Sequence, residues 1–285
     1  MNHLSWALML SLCSASQGLS PAQSVAVGYS PPARSAPIGS TFVDWDKLAF
    51  KPGPVGSYCP IFDEPTPVLE KMEVHVTKLR PGASSHSPHH HPWEEILLIK
   101  EGQVEVSMNG RKQGAGPGSL VFFASNDPHN LTNVGSEPAI YSVINFCTAA
   151  VHAVRDQPAG QWAPPEMLSS RVVDCDRLPQ APTKTGLRST VFDSPTVTFK
   201  RLESHVTTLN PGESTAPNDR DPGDEIFVVK SGTVEATVNG DIHVSGAGSL
   251  FYVAPNAERT MRNPGGDSCS YQVFKVISDK TPPKA

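Results

Sequence analysis

The sequence contains no apolar run long enough to cross a bilayer, no stripe of basic residues and no CxxC pair. The first absence predicts no stable membrane insertion, because a spanning helix needs about 20 consecutive apolar residues. The second argues against a nucleic-acid binder, since 28 Asp and Glu outnumber 23 Lys and Arg and leave no basic face for phosphates. A small molecule is therefore the expected partner of this chain of 285 residues, which is long enough for two domains.

The N-terminus differs in amino-acid composition from the rest of the chain. Leu4 to Leu12 is a short apolar stretch followed by small residues, which indicates a secretory signal peptide over 1–24, although no Lys or Arg precedes it. Residues 25–41 continue a segment rich in Ser, Pro and Ala and are predicted to be a flexible spacer. The expected location is secreted or periplasmic, and a chain without a functional leader would instead be cytoplasmic.

Four cysteines follow the predicted leader, an even number that permits two disulfides in an exported protein. Their spacing does not determine a pairing, and without a CxxC pair they form no evident zinc or redox motif. Buried free thiols are the favoured interpretation. The four are Cys59, Cys147, Cys175 and Cys269.

The sequence contains a tandem internal repeat. A shift of 130 positions superposes 42–148 on 172–278 without a gap, leaving 149–171 as a Pro-containing linker and 279–285 as a tail. Each copy consists of short alternating segments separated by Asn-Gly and other glycine turns, and convincing amphipathic helices are absent. The predicted fold class is all-β, with two tandem jelly-roll β-barrels packed as an intramolecular pseudo-dimer. Further homo-oligomerisation is left open.

Four residues of the first copy have the spacing of a metal site. Side chains alternate across a strand, so His89 and His91 point the same way and His90 points to the opposite side. Glu95 follows before an apolar strand, and His129 lies on a later strand. Three imidazoles and a carboxylate suit one divalent transition metal, Mn, Fe, Ni, Cu or Zn. The alternatives are a solvated histidine loop and a barrel that kept the motif but lost the metal.

These residues carry a family resemblance. The order His-x-His, three residues, Glu, six residues, Gly, followed by Gly118 and then by His129 and Asn133, resembles the two-part motif of the cupin superfamily. Two departures are one extra residue before His89, and Ala124 and Asn126 where the family often has Pro and Gly. The resemblance implies jelly-roll barrels in which the matching residues hold the metal; these are His89, His91, Glu95 and His129.

The second copy has lost this site. The same shift replaces the three histidines by Asp219, Asp221 and Arg259 and retains only Glu225. We expect Arg259 to take the electrostatic place of the ion, because three acidic groups in one cavity would otherwise repel strongly. A hard-cation site or a loop open to solvent are the alternatives. One metal per chain is predicted, in the N-terminal barrel.

The motif predicts metal binding but does not select a reaction. Two-barrel members of the family resembling this chain include flavonol dioxygenases, oxalate-degrading enzymes and ureidoglycine aminohydrolase. A metal-dependent enzyme with a dioxygenase-like reaction is the leading hypothesis, because that reaction needs little beyond a metal and an apolar pocket. A metal-dependent hydrolase, decarboxylase or isomerase and a non-catalytic binding or structural protein remain alternatives.

No catalytic residue is assigned from the sequence. Glu73 and His75 recur in the second copy, so a structural or interfacial role is favoured over catalysis for them. Trp93, between two predicted ligands, is the best candidate for a pocket rim. Glu94 should face away from Glu95 because neighbouring side chains of a strand point to opposite sides.

Overall fold

The structure, a computed structural model, describes residues 25–26, 36–160 and 164–285, with no side chains described for 25–26. These residues are almost entirely strand, apart from two short 3-10 helices (Trp45–Lys47 and Cys175–Arg177) and one turn of α-helix, α1 (Val151–Val154). The predicted all-β fold of two tandem jelly-roll barrels is confirmed. No helix in these described ranges is long and apolar enough to cross a membrane.

The first barrel is made of two sheets. A five-stranded sheet has the order β1-β6-β11-β8-β9, and a seven-stranded sheet has the order β13-β10-β7-β12-β5-β4-β3. The strands are β1 (Val25–Ala26), β3 (Lys51–Gly53), β4 (Gly56–Glu64), β5 (Lys71–Leu79), β6 (His89–His90), β7 (Glu94–Glu101), β8 (Val104–Met108), β9 (Arg111–Ala115), β10 (Ser119–Phe123), β11 (His129–Asn133), β12 (Ala139–Cys147) and β13 (Arg171–Asp174).

The second barrel repeats this plan with a seven-stranded sheet, β14-β15-β16-β22-β17-β20-β2, and a three-stranded sheet, β19-β18-β21. Its four longest strands have the same bounds as their counterparts in the first barrel, moved by 130 residues. The strands are β2 (Thr41–Val43), β14 (Ala181–Pro182), β15 (Gly186–Ser194), β16 (Arg201–Leu209), β17 (Asp224–Ser231), β18 (Thr233–Val238), β19 (Asp241–Gly246), β20 (Leu250–Val253), β21 (Arg259–Arg262) and β22 (Cys269–Ile277).

Alternation along the long strands divides the apolar side chains among three cores. One core fills each barrel, around Phe123 in the first and Phe251 in the second. The third lies between the barrels and combines residues of both, such as Phe122 with Phe192. Burial of this shared core joins the two barrels into the predicted intramolecular pseudo-dimer.

The first strand of each repeat pairs with the sheet of the other barrel. Strand β2 lies antiparallel to β20, with Phe42 opposite Phe251, and β13 lies antiparallel to β10. Each of these strands covers what would otherwise be an open sheet edge. Each barrel therefore contains the first strand of the other sequence repeat, and in this respect the barrels differ from the predicted repeats.

Polar contacts across the interface obey the same pseudo-symmetry. The Thr148 hydroxyl donates to the Thr198 carbonyl over 3.0 Å, and the Ser278 hydroxyl donates to the Val68 carbonyl over 2.8 Å. The second pair is the first pair moved by 130 residues and exchanged between barrels. An interface with this reciprocity has the form of a two-fold dimer interface.

The N-terminal predictions have different outcomes. The predicted signal peptide, 1–24, lies outside the described residues. In the predicted spacer, 25–41, Val25–Ala26 pairs in parallel with His89–His90 and the Ile38 amide donates to the Pro65 carbonyl over 2.9 Å. Backbone hydrogen bonds attach these parts to the barrel, and the flexibility expected of the spacer stays a prediction.

The four described cysteines are buried free thiols, as the sequence predicted. Burial raises the pKa of the Cys175 thiol to about 11, which suppresses the reactive thiolate. In a chain carrying Cys13→Ala, we therefore expect a thiol-specific chromogenic reagent to modify less than 0.1 equivalent at neutral pH, and about four after denaturation. Rapid modification of the native chain would contradict the buried placement.

Candidate metal centre

Strand pairing brings the three predicted histidine ligands together. His129, the first residue of β11, is opposite His89 on β6, and His91 follows two residues later. One nitrogen from each of the three rings lies within 4.8 Å of the others, close enough for all three to reach one ion. The His3 cluster predicted from the spacing is therefore present in the N-terminal barrel.

Two of the rings are held in a defined tautomer by backbone carbonyls. The Nδ1–H of His91 donates to the Trp93 carbonyl over 2.9 Å, and that of His129 donates to the Asp127 carbonyl over 2.8 Å. Each ring then presents the Nε2 lone pair, which is the arrangement that orients metal-ligating imidazoles. The Nε2 of His129 is buried and has no hydrogen-bond partner among the described residues.

Glu95 lies beside two of these nitrogens. Its Oε2 is 3.2 Å from the Nε2 of His91 and 3.9 Å from that of His129. The 3.2 Å contact joins two atoms that both carry lone pairs, because the only N–H of a neutral His91 is already donated to a carbonyl. Such a pair needs a cation between or beside its members, so the donor set fits a metal ion.

Burial keeps the three imidazoles neutral, as metal ligands must be. It lowers the pKa of His91 to about 3 and, together with the neighbouring His86, that of His89 to about 3. It also lowers the pKa of His129 well below its usual range, although Glu95 acts in the opposite direction. A proton is thus a poor candidate for the cation that this cluster accommodates.

The ligand cluster opens into a cavity of about 490 Å³ inside the first barrel. Its walls are mostly apolar, and Lys51 is the only Lys or Arg among the described lining residues. Trp93 lines the cavity as predicted, with its ring stacked on His91 at a centroid distance of 4.3 Å and an angle of 5°. Phe123 stacks in the same way on His129, at 4.0 Å. The volume admits a small organic molecule.

A hydrogen-bonded chain leads from this stack along the cavity wall. The Trp93 Nε1–H donates to Asn145 Oδ1 over 3.1 Å, and Asn145 Nδ2 donates to Glu73 Oε2 over 2.7 Å. The other oxygen of Glu73 is 2.7 Å from the Nδ1 of His75, which lines the cavity. This pair therefore does not lie between the barrels, so the interfacial alternative predicted for Glu73 and His75 does not apply, and the structural alternative stays a prediction.

Glu94 faces away from Glu95, as predicted, and belongs to the barrel interface. The Thr198 amide of the other barrel donates to Glu94 Oε1 over 3.1 Å, and the Thr198 hydroxyl donates to Oε2. Burial raises the pKa of Glu94 to about 7, with the threonine contacts acting against the shift. This carboxyl group therefore contributes to domain contact and is not directed at the cavity.

Its counterpart in the second barrel, Asp224, makes the reciprocal contact. Asp224 accepts hydrogen bonds from the Thr66 hydroxyl of the first barrel and from the Tyr252 hydroxyl, the latter over 2.8 Å. Burial raises the pKa of Asp224 to about 7 despite both hydrogen bonds. This interfacial role was not predicted from the sequence. Glu94 and Asp224 each precede the ligand position by one residue, which indicates only that their side chains face away from the cavity.

In the second barrel an ion-pair cluster fills the equivalent site. Arg259 Nε is 2.6 Å from Glu225 Oε2, and Arg259 Nη1 is 2.9 Å from Asp219 Oδ2. Lys275 Nζ is 2.6 Å from Asp221 Oδ2. Burial opposes the charge on Arg259, but Glu225 and Asp219 outweigh it and raise its pKa. The predicted electrostatic replacement by Arg259 is present; Lys275 is an additional cation that the prediction did not include.

The second cavity is correspondingly smaller, about 170 Å³. Among the described residues, the histidine cluster able to hold a metal is that of the first barrel. The two barrels have therefore diverged in opposite directions, one towards an open cavity and the other towards a closed network of charges.

Fold and site together define a two-barrel jelly-roll protein with a histidine cluster in one barrel. The chain belongs to the cupin family: the family model "Cupin domain" matches residues 75–145 and 205–275, one segment in each barrel. Comparison with curated protein sequences gave no significant match.

Solved structures of Bacillus subtilis oxalate decarboxylase are similar in fold. One, determined at pH 4.6, has a TM-score of 0.61 and 14% sequence identity over 86% of this chain and 78% of that chain. Another, from work on the Mn(II) centres of the same enzyme, has a TM-score of 0.61 and 14% identity over 87% and 79%. At this identity the likeness establishes the two-barrel architecture.

Proposed function

We propose that this chain is a metal-dependent enzyme with one divalent transition metal in its N-terminal barrel. The observation that carries the proposal is the set of lone pairs converging at the cavity: the Nε2 atoms of His91 and His129 and the carboxylate of Glu95, with one nitrogen of His89 in reach. Such a set of nitrogen and carboxylate ligands suits Mn, Fe, Ni, Cu or Zn, and Mn is the first choice because the similar decarboxylases contain it.

These four residues would hold the ion at the edge of the cavity, within reach of a bound molecule. A metal bound there would supply Lewis acidity towards a substrate oxygen and, if it is Mn, Fe or Cu, redox chemistry. The barrel residues hold the ligand rings, exclude bulk water with apolar walls, and orient a substrate of modest size. Lys51 at the wall offers one positive charge, which favours a small organic carboxylate as the substrate class.

Decarboxylation is the reaction that we propose to test first, because the similar solved structures are oxalate decarboxylases. A dioxygenase-like reaction is the second candidate, favoured by the apolar cavity walls around Leu97, Phe123 and Val143. Export to the periplasm or the outside of the cell remains part of the proposal through the apolar N-terminal stretch.

Metal analysis tests the site. The chain purified without added metal, or reconstituted with Mn, is expected to contain about one equivalent by inductively coupled plasma mass spectrometry. His91→Ala should hold less than 0.1 equivalent, because it removes one of three histidine ligands. Arg259→Ala, at the position equivalent to His129 in the second barrel, is the matched control and should keep the full equivalent. No metal in the reconstituted wild type would overturn the proposal.

Turnover tests the reaction. The loaded enzyme is incubated with oxalate in a sealed vessel, with CO2 release and oxygen uptake recorded together. CO2 release without stoichiometric oxygen uptake supports decarboxylation, and oxygen uptake with a hydroxylated aromatic substrate supports the dioxygenase-like reaction. A metal-loaded chain that performs neither would favour the non-catalytic alternative.

A further inference from the structure

We propose that His75, held by Glu73, is the proton-transfer residue of the first barrel. This inference rests on the proposed function and adds a residue that neither the family match nor the ligand motif identifies. The observation that supports this inference is geometric: a carboxylate–imidazole pair lies at the same cavity as the predicted metal ligands. Glu73 Oε1 and His75 Nδ1 are 2.7 Å apart, and His75 lines the cavity.

Strand register places the pair beside the ligands. Asn145 on β12 is opposite Glu95 on β7 and opposite Glu73 on β5, so the three side chains form one row on the inner wall. Neighbouring strands are about 4.8 Å apart, which puts the Glu73 backbone about 10 Å from that of Glu95. His75 is one step further along the same face of β5. His75 and Glu95 line the same cavity, so a molecule bound in that cavity lies between the metal position and His75.

The orientation of the ring is defined by its partners. Glu73 receives Asn145 Nδ2 on one oxygen and His75 Nδ1 on the other, so the carboxylate is fixed on both sides. The Tyr58 ring packs against His75 at a centroid distance of 5.0 Å. The Nε2 of His75 makes no hydrogen bond to any residue within the described ranges. A carboxylate on Nδ1 with Nε2 free is the arrangement in which histidine acts as a general acid or base.

In the second barrel the equivalent pair, Glu203 and His205, lies beside the smaller cavity and is surrounded by cations. There Arg188 Nη2 is 2.6 Å from Glu203 Oε1 and 3.1 Å from His205 Nδ1, and Arg201 and Lys275 also contact Glu203, at 2.9 and 4.0 Å. At the three cation positions the first barrel has other residues: Tyr58, Lys71 and Asn145, of which Lys71 pairs with Asp63. In the described part of the first barrel, Glu73 contacts His75 and Asn145 and forms no ion pair with a Lys or Arg.

The proton step is redox-neutral. As CO2 leaves a substrate carboxylate, the electron pair of the broken carbon–carbon bond remains on the substrate carbon. The Nε2–H proton of the His75 imidazolium moves to that carbon and forms the new C–H bond. Water then reprotonates His75 and leaves hydroxide, so that RCOO⁻ and H2O give RH, CO2 and OH⁻. Glu73 is a positioning residue, because it stabilises the imidazolium and fixes its ring.

Paired variants in the Mn-loaded enzyme test the step, with oxalate as the probe and metal content recorded for each. His75→Gln is expected to lower kcat about 100-fold or more at unchanged metal content, since positioned general acids contribute about 10²- to 10⁴-fold. His205→Gln, the same change in the second barrel, should keep wild-type kcat. Glu73→Gln should lower kcat at unchanged KM and metal content, because the carboxylate fixes the ring that transfers the proton.

A second readout needs no turnover. In the Zn-loaded protein, the His75 ring resonance, identified by its loss in His75→Gln, is followed by NMR with and without oxalate. Its chemical shift should change in Glu73→Gln, which removes the carboxylate partner of the ring, and on adding oxalate. A wild type that binds metal but releases no CO2 would overturn the decarboxylase assignment alone. A His75 signal insensitive to both Glu73 and oxalate, or His75→Gln turnover equal to that of His205→Gln, would overturn the role of His75.

Discussion

Raising the pH from 4 to 8 is expected to lower the free energy of unfolding, partly because Asp224 loses its proton. The Asp224→Asn variant should not show the part of this decrease that comes from Asp224. The folded-state pKa of Asp224 is raised to about 7 from its usual value of about 3.8, mainly because burial disfavours the charged carboxylate. A shift of about three units corresponds to a change on the order of 4 kcal/mol. Urea unfolding of both proteins at several pH values measures this difference.

The direction of this pH dependence follows from proton binding. Between pH 4 and 7 the folded chain keeps the Asp224 proton that the unfolded chain releases, so the contribution is complete below about pH 4 and disappears as the pH passes 7. Asparagine keeps the shape, with a carbonyl for one of the Thr66 and Tyr252 hydroxyls and an amide facing the other, but has no titrating group. Parallel pH profiles for the two proteins would contradict a protonated Asp224 at the barrel interface.

Replacing Arg259 by methionine is expected to destabilise the second barrel by about 3–5 kcal/mol. The substitution removes the guanidinium that now lies 2.6 Å from the buried Glu225 and leaves Lys275 Nζ, 3.8 Å away, as the remaining cation, so the buried charge loses its direct partner. Only 2% of the Glu225 side chain is exposed, so water cannot replace the lost partner. Chemical denaturation of the wild type and Arg259→Met measures the effect.

The double variant Arg259→Met, Glu225→Leu is the control for that prediction. Removing both members of a buried ion pair is often nearly neutral, so most of the stability lost in the single variant should return. Metal content of the first barrel should be unchanged in both variants. Equal destabilisation of single and double variants would show that Arg259 acts through packing and not through its charge.

The sequence was sufficient to predict the two barrels and the histidine cluster. The repeat is gap-free, and the alternation of His89 and His91 is local information that any strand preserves. Loss of the second site also followed from side-chain charge, because Arg259 cannot ligate a cation. These predictions depend on short-range geometry or on direct comparison between copies.

Contacts between distant strands could not be predicted in the same way. Phe42 and Phe251 are far apart in sequence, and a repeat cannot indicate which of two equivalent sheets its first strand joins. The row of Glu73, Asn145 and Glu95 likewise depends on the register of three strands that are not adjacent in sequence. Glu73 and His75 recur in the second copy as Glu203 and His205, which suggested a shared structural role. The residues around the two pairs differ, however, so the pairs have different surroundings.

The exchanged first strands give the chain an evolutionary interpretation. In a single-barrel ancestor, two separate polypeptides trading these strands would form a closed homodimer, and gene fusion would preserve every contact while joining the ends through the linker. Once fused, the halves were free to specialise, so that one retained a ligand-binding cavity and the other could exchange its ligands for internal charges. Separating the two halves would remove the outer strand from both barrels at once.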